Sequence, residues 1–333
     1  MGAPGASPVI LSANQLVANV NTAFFTAYES ASTVDRGMLG KCMMLDQPST
    51  RQIEPYAYNE SAPIPRRIRQ DEGVYHQAFR GVGFNIRNFP FGIAVDWHED
   101  SEKFDTTKTL VARAEEAGRN HTLLAELLFF QIVNGTTNAD LLPSVPNAPD
   151  GAALYATTAG GADRFGVSDG NLQTGLGVAS ADAVVKSIDQ GLGRFAQFLG
   201  TNNQPLIHPS ILRSGVVVLY NPANRSVMNR ALKSATIGEI YGTNTAAAGI
   251  PNPLLGGDVP VMPWADPRIT DNDIYLFLVG GSHKSIVHQM FQRPEFNYED
   301  RSNSDRSRDY GTKAFFGKSI ESAGVGPAYY TIK

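Results

Sequence analysis

Apolar and polar residues alternate with a changing period along the chain, and the longest helical pattern runs from Asp105 to Gly135. Its apolar positions recur at four- and three-residue steps and therefore share one helix face: Leu110, Ala114, Ala117, His121, Leu124 and Leu128. The opposite face is polar, with Arg113, Glu116, Asn120 and Glu126. At about 1.5 Å per residue the pattern predicts a rod of roughly 45 Å. Its last turns, Leu123 to Val133, are apolar nearly all round and are predicted to be buried.

A second, shorter amphipathic helix precedes this rod. Residues 1–13 are rich in Gly, Ala, Pro and Ser and are predicted to form a flexible arm. From Asn14 onwards, apolar residues follow a helical spacing at Leu16, Val20, Phe24 and Tyr28. The pattern predicts a helix that ends near Gly37 and Gly40 and docks on another element.

Between the two helices the period shortens to that of strands. Gln52–Tyr58 and Val74–Phe79 predict the two strands of a long hairpin, with prolines and arginines at its tip. From Phe89 to Trp97 large apolar residues alternate strictly with small or polar ones, as in a half-buried strand. Pro90 favours a sheet edge or a bulge. Because two strands alone are marginally stable in water, the hairpin is predicted to need the surface of another subunit.

After the rod, residues 138–177 show no sustained period and predict a long loop. A compact α/β unit follows. Its predicted parts are a helix capped by Ser180, a buried strand at Val216–Leu219, a helix started by Asn221-Pro222, and buried strands at Asp273–Val279 and Val287–Phe291.

The last 41 residues differ again in character. Residues 293–310 mix acidic and basic side chains, which is typical of a solvated or intersubunit ion-pair surface. Strand character returns at Phe315-Phe316 and at Tyr329-Tyr330.

Composition narrows the class of protein. The 333 residues carry a formal net charge of −4, so the chain as a whole is not expected to bind nucleic acid by electrostatic attraction. The single cysteine, Cys42, excludes an intramolecular disulfide. No run of about 18 apolar residues and no signal peptide is visible, so we expect a soluble protein without membrane contact, made in the cytoplasm.

Short motifs for chemistry are present but lack their context. Gly166 to Gly170 spells G-x-S-x-G around Ser168, yet the flanking residues predict neither the strand nor the helix of a nucleophile elbow. A match to the P-loop ending at Gly317-Lys318-Ser319 has one residue too many between its glycines. The six histidines do not show metal-ligand spacing, and His98-Glu99-Asp100 is better interpreted as a polar turn. We therefore predict no enzymatic activity, cofactor or metal, with a serine hydrolase using Ser168 as an alternative.

The order of these parts resembles the Hong Kong 97-type capsid fold, and within it the major head subunit family of Mu-like phages. The resemblance is carried by short segments across residues 50 to 330: Arg66-Arg67-Ile68, Phe91 to Asp96 with Glu99-Asp100, Pro209 to Leu212, Val216 to Pro222, Ile274 to Phe277, His288 to Phe296, and Asp309-Tyr310-Gly311. Where that family often has a His soon after an Asp-Gly, this chain has Ala152, Ala153 and Leu154, which leaves the course of residues 140–175 open.

The resemblance implies an α+β fold of five parts. These are an N-terminal arm with one amphipathic helix (1–45), an extended β-hairpin loop (46–88), a peripheral domain with a spine helix at 105–135 (89–140), an α/β axial domain (141–292), and C-terminal strands that return towards the peripheral domain (293–333).

The implied function is that of a structural subunit which self-assembles into the hexamers and pentamers of an icosahedral viral capsid around double-stranded DNA. Portal, scaffold and decoration proteins are the expected partners, and the expected location is the virion, after assembly in the host cytoplasm. The alternatives are the serine hydrolase and a non-viral compartment shell of the same fold. Eight residues are predicted to contact neighbouring subunits: Ile64, Arg66, Arg67, Arg69, Phe24, Arg301, Asp305 and Arg308.

Overall fold

Two four-stranded sheets carry the fold in the computed structural model, which is mixed α and β as predicted. It describes residues 13–34, 36–61, 80–98, 109–173, 177–200, 203–237, 250–281, 283–300 and 312–333. The helices are α1 Ala13–Val34, α2 Leu39–Cys42, α3 Thr109–Asn134, α4 Ala181–Gln197, α5 Pro209–Leu212 and α6 Arg225–Lys233. The strands are β1 Met43–Pro48, β2 Ile53–Ser61, β3 Arg80–Arg87, β4 Phe89–His98, β5 Thr158–Ala159, β6 Ala162–Asp163, β7 Val216–Tyr220, β8 Thr236–Ile237, β9 Ile250–Pro251, β10 Val261–Ala265, β11 Ile274–Leu278, β12 Ile286–Asp300, β13 Thr312–Val325 and β14 Thr331–Ile332.

The first sheet, here called the peripheral sheet, has the strand order β1-β12-β13-β4. β12, β13 and β4 are antiparallel neighbours, and β1 is parallel to β12. β4 lies at the edge, as Pro90 predicts, and its polar and small residues are exposed while Phe91 and Ile93 are partly buried. The assignment of Val287–Phe291 to the α/β unit is wrong, because these residues form part of β12 in the peripheral sheet.

Helix α3 confirms the predicted rod over the residues described, and all six apolar positions of its predicted face are buried. Gly135, with φ of 63°, ends it: the N–H groups of Gly135 and Thr136 bond to the carbonyls of Ile132 and Gln131. Two details differ from the prediction. Glu126 is buried instead of solvated, and Leu123 and Leu127 are exposed instead of enclosed.

Helix α1 packs against α3, which explains its amphipathic pattern. A Cβ added at Gly118 of α3 would lie 2.4 Å from the carbonyl oxygen of Phe24, so only glycine permits this approach of the two helices. Phe24 itself is fully buried. The chain then forms the short helix α2, which the sequence pattern did not predict, and enters β1.

The second sheet, here called the axial sheet, has the order β10-β7-β11-β14. Its central strand β7 is buried at all five positions, as expected for an unbroken apolar run. Ser180 caps α4 by accepting from the N–H of Ala183, and Asn221 starts the next helical segment by accepting from the N–H of Ala223. The pairing of β14 with β11 corrects the prediction that the whole C-terminal segment returns to the peripheral domain.

Strands β2 and β3 form the predicted hairpin and pair in register from Ile53↔Arg87 to Asn59↔Gly81. The described returning strand is Arg80–Arg87, whereas the predicted one, Val74–Phe79, lies outside the described residues. Tyr329 and Tyr330 belong to a 3-10 turn, not to a strand. Among the described residues, no helix is long and apolar enough to cross a membrane.

Candidate functional site

A line of buried polar side chains runs between the peripheral sheet and the helices that cover it. We call it the polar seam and define it by the buried residues His121, His288, Ser319 and Glu321, together with Asp46 at its end, whose side chain is 45% exposed. The Glu321 carboxylate lies 2.8 Å from Nε2 of His288 and 3.4 Å from Nε2 of His121. On its other side, Nδ1 of His288 lies 3.0 Å from the Asp46 carboxylate. The seam thus joins β1, β12 and β13 to α3.

Hydroxyl and guanidinium groups complete the seam. The Ser319 hydroxyl donates to Glu321 at 2.5 Å and lies 3.0 Å from Nε2 of His121. Arg36, which precedes α2, donates to the Asp46 carboxylate at 2.6 Å. The segment that connects α1 to β1 is therefore held by an ion pair that continues into the buried seam.

The charge states of the seam follow from this geometry. Burial opposes ionisation of Glu321, but hydrogen bonds from His121, His288 and Ser319 outweigh it and hold the pKa of Glu321 at about 2. Burial also disfavours the charged form of His288, yet Asp46 and Glu321 raise its pKa above the usual value. Asp46 is the converse case: burial is outweighed by His288 and Arg36, and its pKa is lowered. The two carboxylates on either side of His288 therefore favour its protonated form.

A Ser, a His and a Glu in contact suggest a hydrolytic triad, but the bonding is different here. In a triad the histidine accepts from the serine and donates to the carboxylate through its other nitrogen. Here the Ser319 hydroxyl donates directly to Glu321, and the same His121 nitrogen faces both groups. Ser319 is fully buried, so a substrate has no route to it. These contacts give His121 and His288 a structural role in the seam.

The G-x-S-x-G motif also lacks the geometry of a nucleophile elbow. Ser168 lies in a turn directly after a 3-10 segment, Arg164–Gly166, and the residues that follow continue as turns. The neighbouring Asp169 is paired with Arg194 at 2.7 Å. A sharp turn from a strand into a helix, which would present the hydroxyl beside an oxyanion hole, is not formed at these described positions.

The loop that contains Ser168 is instead organised around a buried arginine. The Arg164 guanidinium makes two hydrogen bonds to Asp150, at 2.7 and 3.0 Å, and donates further to the carbonyls of Ala153 and Leu154. It also donates to Asn171, whose amide reaches the carbonyls of Ala328 and Thr331. This network gives residues 150–171 a fixed course beside the C-terminal segment.

The base of the hairpin is fixed by a second polar network. Gln289 of β12 donates to the Ile86 carbonyl at 3.1 Å and to the Asn88 amide oxygen at 2.8 Å. Asn88 in turn donates to Ser49 at 2.8 Å. Hydrogen bonds from the Thr50 backbone and from Ser49 lower the pKa of the Glu54 carboxyl group. Buried amides thus connect both ends of the hairpin to the peripheral sheet.

Large apolar side chains remain exposed at several places on the subunit: Ile53, Leu123, Leu127, Leu255, Phe291 and Tyr298. Ile53, in β2, is 52% exposed. Leu123 and Leu127 are four residues apart in α3 and therefore neighbours on the outer side of that helix. Single exposed apolar residues are ordinary, but a hairpin and a helix that both present them are candidate contact surfaces.

The predicted contact residues fall into two groups. Ile64, Arg66, Arg67, Arg69, Arg301, Asp305 and Arg308 lie outside the described residues. Phe24 lies in the interior against α3 of its own chain, so its side chain has no exposed surface for a neighbouring subunit. In the part of the chain that the structure describes, no group of three or more His, Cys, Asp or Glu side chains is placed to hold a metal ion.

No protein-family model and no curated protein matches this chain. Several solved structures are similar to it at low sequence identity. One is the mature capsid of bacteriophage PhiM1, with a TM-score of 0.49, 10% identity and coverage of 88% of this chain and 84% of that one. The capsid of the cyanophage P-SCSP1u gives a TM-score of 0.48 at 10% identity, covering 87% and 85%. The capsid of the native GTA particle gives 0.48 at 11%, covering 100% and 93%.

Proposed function

We propose that this chain is the repeating structural subunit of an icosahedral tailed-phage capsid, and that it associates with copies of itself into hexamers and pentamers. The observation that carries the proposal is the β2–β3 hairpin. Among the described strands it pairs only with itself. A two-stranded sheet is marginally stable in water, so a hairpin of this length needs a covering surface.

The two faces of the hairpin differ, and the difference supports an intersubunit role. The inner face is aromatic: Tyr56 stacks on Phe84 with ring centroids 5.3 Å apart, and Ile86 is buried. The outer face carries Ile53, Pro55 and Ala57, which are exposed. A neighbouring subunit that covers this outer face would remove apolar area from water, at about 25 cal/mol per Å².

Assembly would then proceed through heterologous contacts. The hairpin of one subunit meets a different surface of the next, and such contacts close into rings when the rotation between subunits allows it. The parts of the subunits that contain the axial sheet surround the ring axis. The predicted tip arginines pair with acidic groups of a neighbour and set the relative position of the two subunits. The net charge of −4 gives no general electrostatic affinity for DNA. In this proposal the shell encloses the packaged DNA without sequence-specific contacts.

Portal, scaffold and decoration proteins complete the proposed set of partners, with assembly in the host cytoplasm and the virion as the final location. A close relation to the Mu-like head subunits belongs to the same proposal. A non-viral compartment shell would use the same subunit contacts and differ in its contents. A portal gene and a protease gene beside this one support the phage head, whereas a cargo-enzyme gene supports the compartment.

The test is assembly of the purified protein. Light scattering and negative-stain microscopy, with and without a co-expressed scaffold, should show closed shells or capsomer rings. Ile53→Glu should lower the shell yield at least tenfold while leaving the circular dichroism spectrum unchanged, because it places a charge in the proposed contact. Gln52→Glu, one residue away and also exposed to solvent, is the matched control and should assemble normally. A protein that stays monomeric at high concentration under all these conditions contradicts the proposal.

A further inference from the structure

The hairpin is held against its own subunit by close packing at its base. Ile86 of β3 lies over Gly324 of β13, and a Cβ added at Gly324 would lie 2.5 Å from Cγ1 and 2.8 Å from Cδ1 of Ile86. Real Cβ atoms do not approach other atoms so closely, so any larger residue at 324 forces Ile86 to move. The absence of a side chain at Gly324 is what allows Ile86 to sit there.

Two more contacts continue this packing along the hairpin. The Phe84 ring lies 3.4 Å from the Cβ position of Gly326. Further out, the Tyr58 ring lies 6.3 Å from the Tyr329 ring in an edge-on arrangement, which is favourable for aromatic pairs. We call these three contacts, Ile86 on Gly324, Phe84 on Gly326 and Tyr58 on Tyr329, the hairpin seat.

Hydrogen bonds at the base define where the hairpin would pivot. Gln289 donates to the Ile86 carbonyl and to the Asn88 side chain, and the Asn88 N–H bonds to the Gln52 carbonyl at 2.8 Å. Both strands are therefore tied to the peripheral sheet at the level of Asn88. Beyond this level, the packing contacts of the seat hold the described part of the hairpin against its own subunit.

We infer that the hairpin seat fixes the direction in which the hairpin leaves the subunit, and that Gly324 is the positioning residue for it. This inference rests on the proposed function, because the hairpin direction matters when the hairpin must reach a second copy of this chain. A change of angle would move the outer face of the hairpin relative to its neighbour and alter the geometry of the ring.

The expected movement can be worked out from strand geometry. Strands rise about 3.3 Å per residue, so Ile86 lies roughly 7 Å from the level of Asn88. Ala57 pairs with Gly83 and lies roughly 17 Å from the same level. Relieving the contact in a Gly324→Ala variant requires Ile86 to shift by about 1 Å, to an ordinary carbon–carbon separation. If the hairpin tilts as a rigid body about the level of Asn88, the same tilt displaces Ala57 by roughly 2–3 Å.

The experiment measures this movement in the full-length, unassembled subunit. Spin labels are placed at Ala57→Cys in the hairpin and at Lys233→Cys at the end of α6, both exposed positions, and their separation is measured by pulsed electron resonance. Cys42 is buried and stays unlabelled in the folded protein. Gly324→Ala should displace Ala57 by roughly 2–3 Å and therefore shift the mean distance by up to that amount. Gly193→Ala, where an added Cβ meets nothing within 4 Å, should leave it unchanged.

A compensating variant makes the test specific. Gly324→Ala with Ile86→Ala removes the colliding side chain and should return the mean distance to that of the original protein. An unchanged distance in Gly324→Ala, or no return in the double variant, overturns the inference. Should Gly324→Ala fail to fold, Ile86→Ala alone decides: a broadened distance distribution supports the seat, and an unchanged one overturns it.

Particle imaging separates this inference from the proposed function. If the original protein assembles, Gly324→Ala should give shells or rings of altered size, and the double variant should restore the original size. If the original protein forms no shells, the proposed function fails. The distance measurement then still decides whether the seat sets the hairpin angle.

Discussion

Glu321→Gln should weaken the subunit in a pH-dependent way, because it removes the charge at the centre of the polar seam and keeps the shape of the side chain. Glu321 is almost completely buried, with 2% of the residue's surface exposed, and its carboxylate contacts two histidines and a serine. Its pKa falls from 4.5 to about 2 on folding. At about 1.4 kcal/mol per pH unit, this corresponds to roughly 3 kcal/mol of stability at neutral pH.

The sign of the pH dependence follows from the two pKa directions. A lowered carboxyl pKa contributes stability above the unfolded value of 4.5, and the contribution is lost as the pH falls towards 2. The raised pKa of His288 contributes stability below 6.5 and loses it as the pH rises through the folded-state value. Both shifts describe one interaction, so they are not added. The stabilisation is greatest between about pH 4.5 and 6.5.

The assay is urea unfolding of the unassembled subunit, since an ionic denaturant would screen the charges. Fluorescence should be followed for Trp97 in the peripheral sheet and Trp264 in the axial sheet, to test whether one transition covers both. The difference between the original protein and Glu321→Gln should be about 3 kcal/mol at pH 6 and about 1 kcal/mol at pH 3.

A control variant isolates the seam from general effects of pH. Glu116→Gln removes an exposed carboxylate of α3 and should change stability by less than about 0.5 kcal/mol at pH 3 and at pH 6. The reasoning is refuted if Glu321→Gln is destabilising by the same amount at pH 3 and pH 6, because the residue would then act through packing and not through charge.

Three further variants test separate contacts. Gly118→Ala should destabilise the subunit by about 1–3 kcal/mol in urea unfolding and expose α1 to protease, because the new methyl group collides with the α1 backbone. Arg164→Met should lower the free energy of unfolding by about 3–5 kcal/mol, because it leaves a carboxylate and several carbonyls unpaired. Arg194→Met, at a partly exposed ion pair, is the control and should lower it by under about 1 kcal/mol. Leu127→Glu should leave the subunit folded but reduce shell yield in microscopy; Ala112→Glu, exposed on the same helix, should not.

The elements that the sequence predicts well are those in which burial follows a local period. Helix α3 has apolar residues at helical spacing, β4 alternates strictly, and β7 and β11 are short unbroken apolar runs, so each pattern determines its own structure. The period also predicts which side of β4 is exposed. The pattern cannot tell which sheet a strand joins, so the apolar run Val287–Phe291 does not indicate that it belongs to β12 of the peripheral sheet.

The polar seam and the buried Glu126 could not be predicted, because they depend on residues far apart in sequence. Asp46 and His288 are 242 positions apart, and His121 and Ser319 are 198 apart. Glu126 occupies the polar stripe of α3, yet Arg268 of a distant loop reaches it at 2.6 Å and allows its burial. A lone charged residue in a sequence gives no signal of its partner, so solvation is the default expectation.

The contrast between the two sheets explains why a buried seam is useful here. All five residues of β7 are buried, so a slip by one residue would exchange one apolar side chain for another at most positions. β12 and β13 form a long antiparallel pair with irregularities between Met290 and Glu295. In this pair a slip would separate His288 from Glu321 and leave buried charges unpaired, at a cost of several kcal/mol. The seam therefore disfavours every register of β12 and β13 except the one that places Gly324 beneath Ile86.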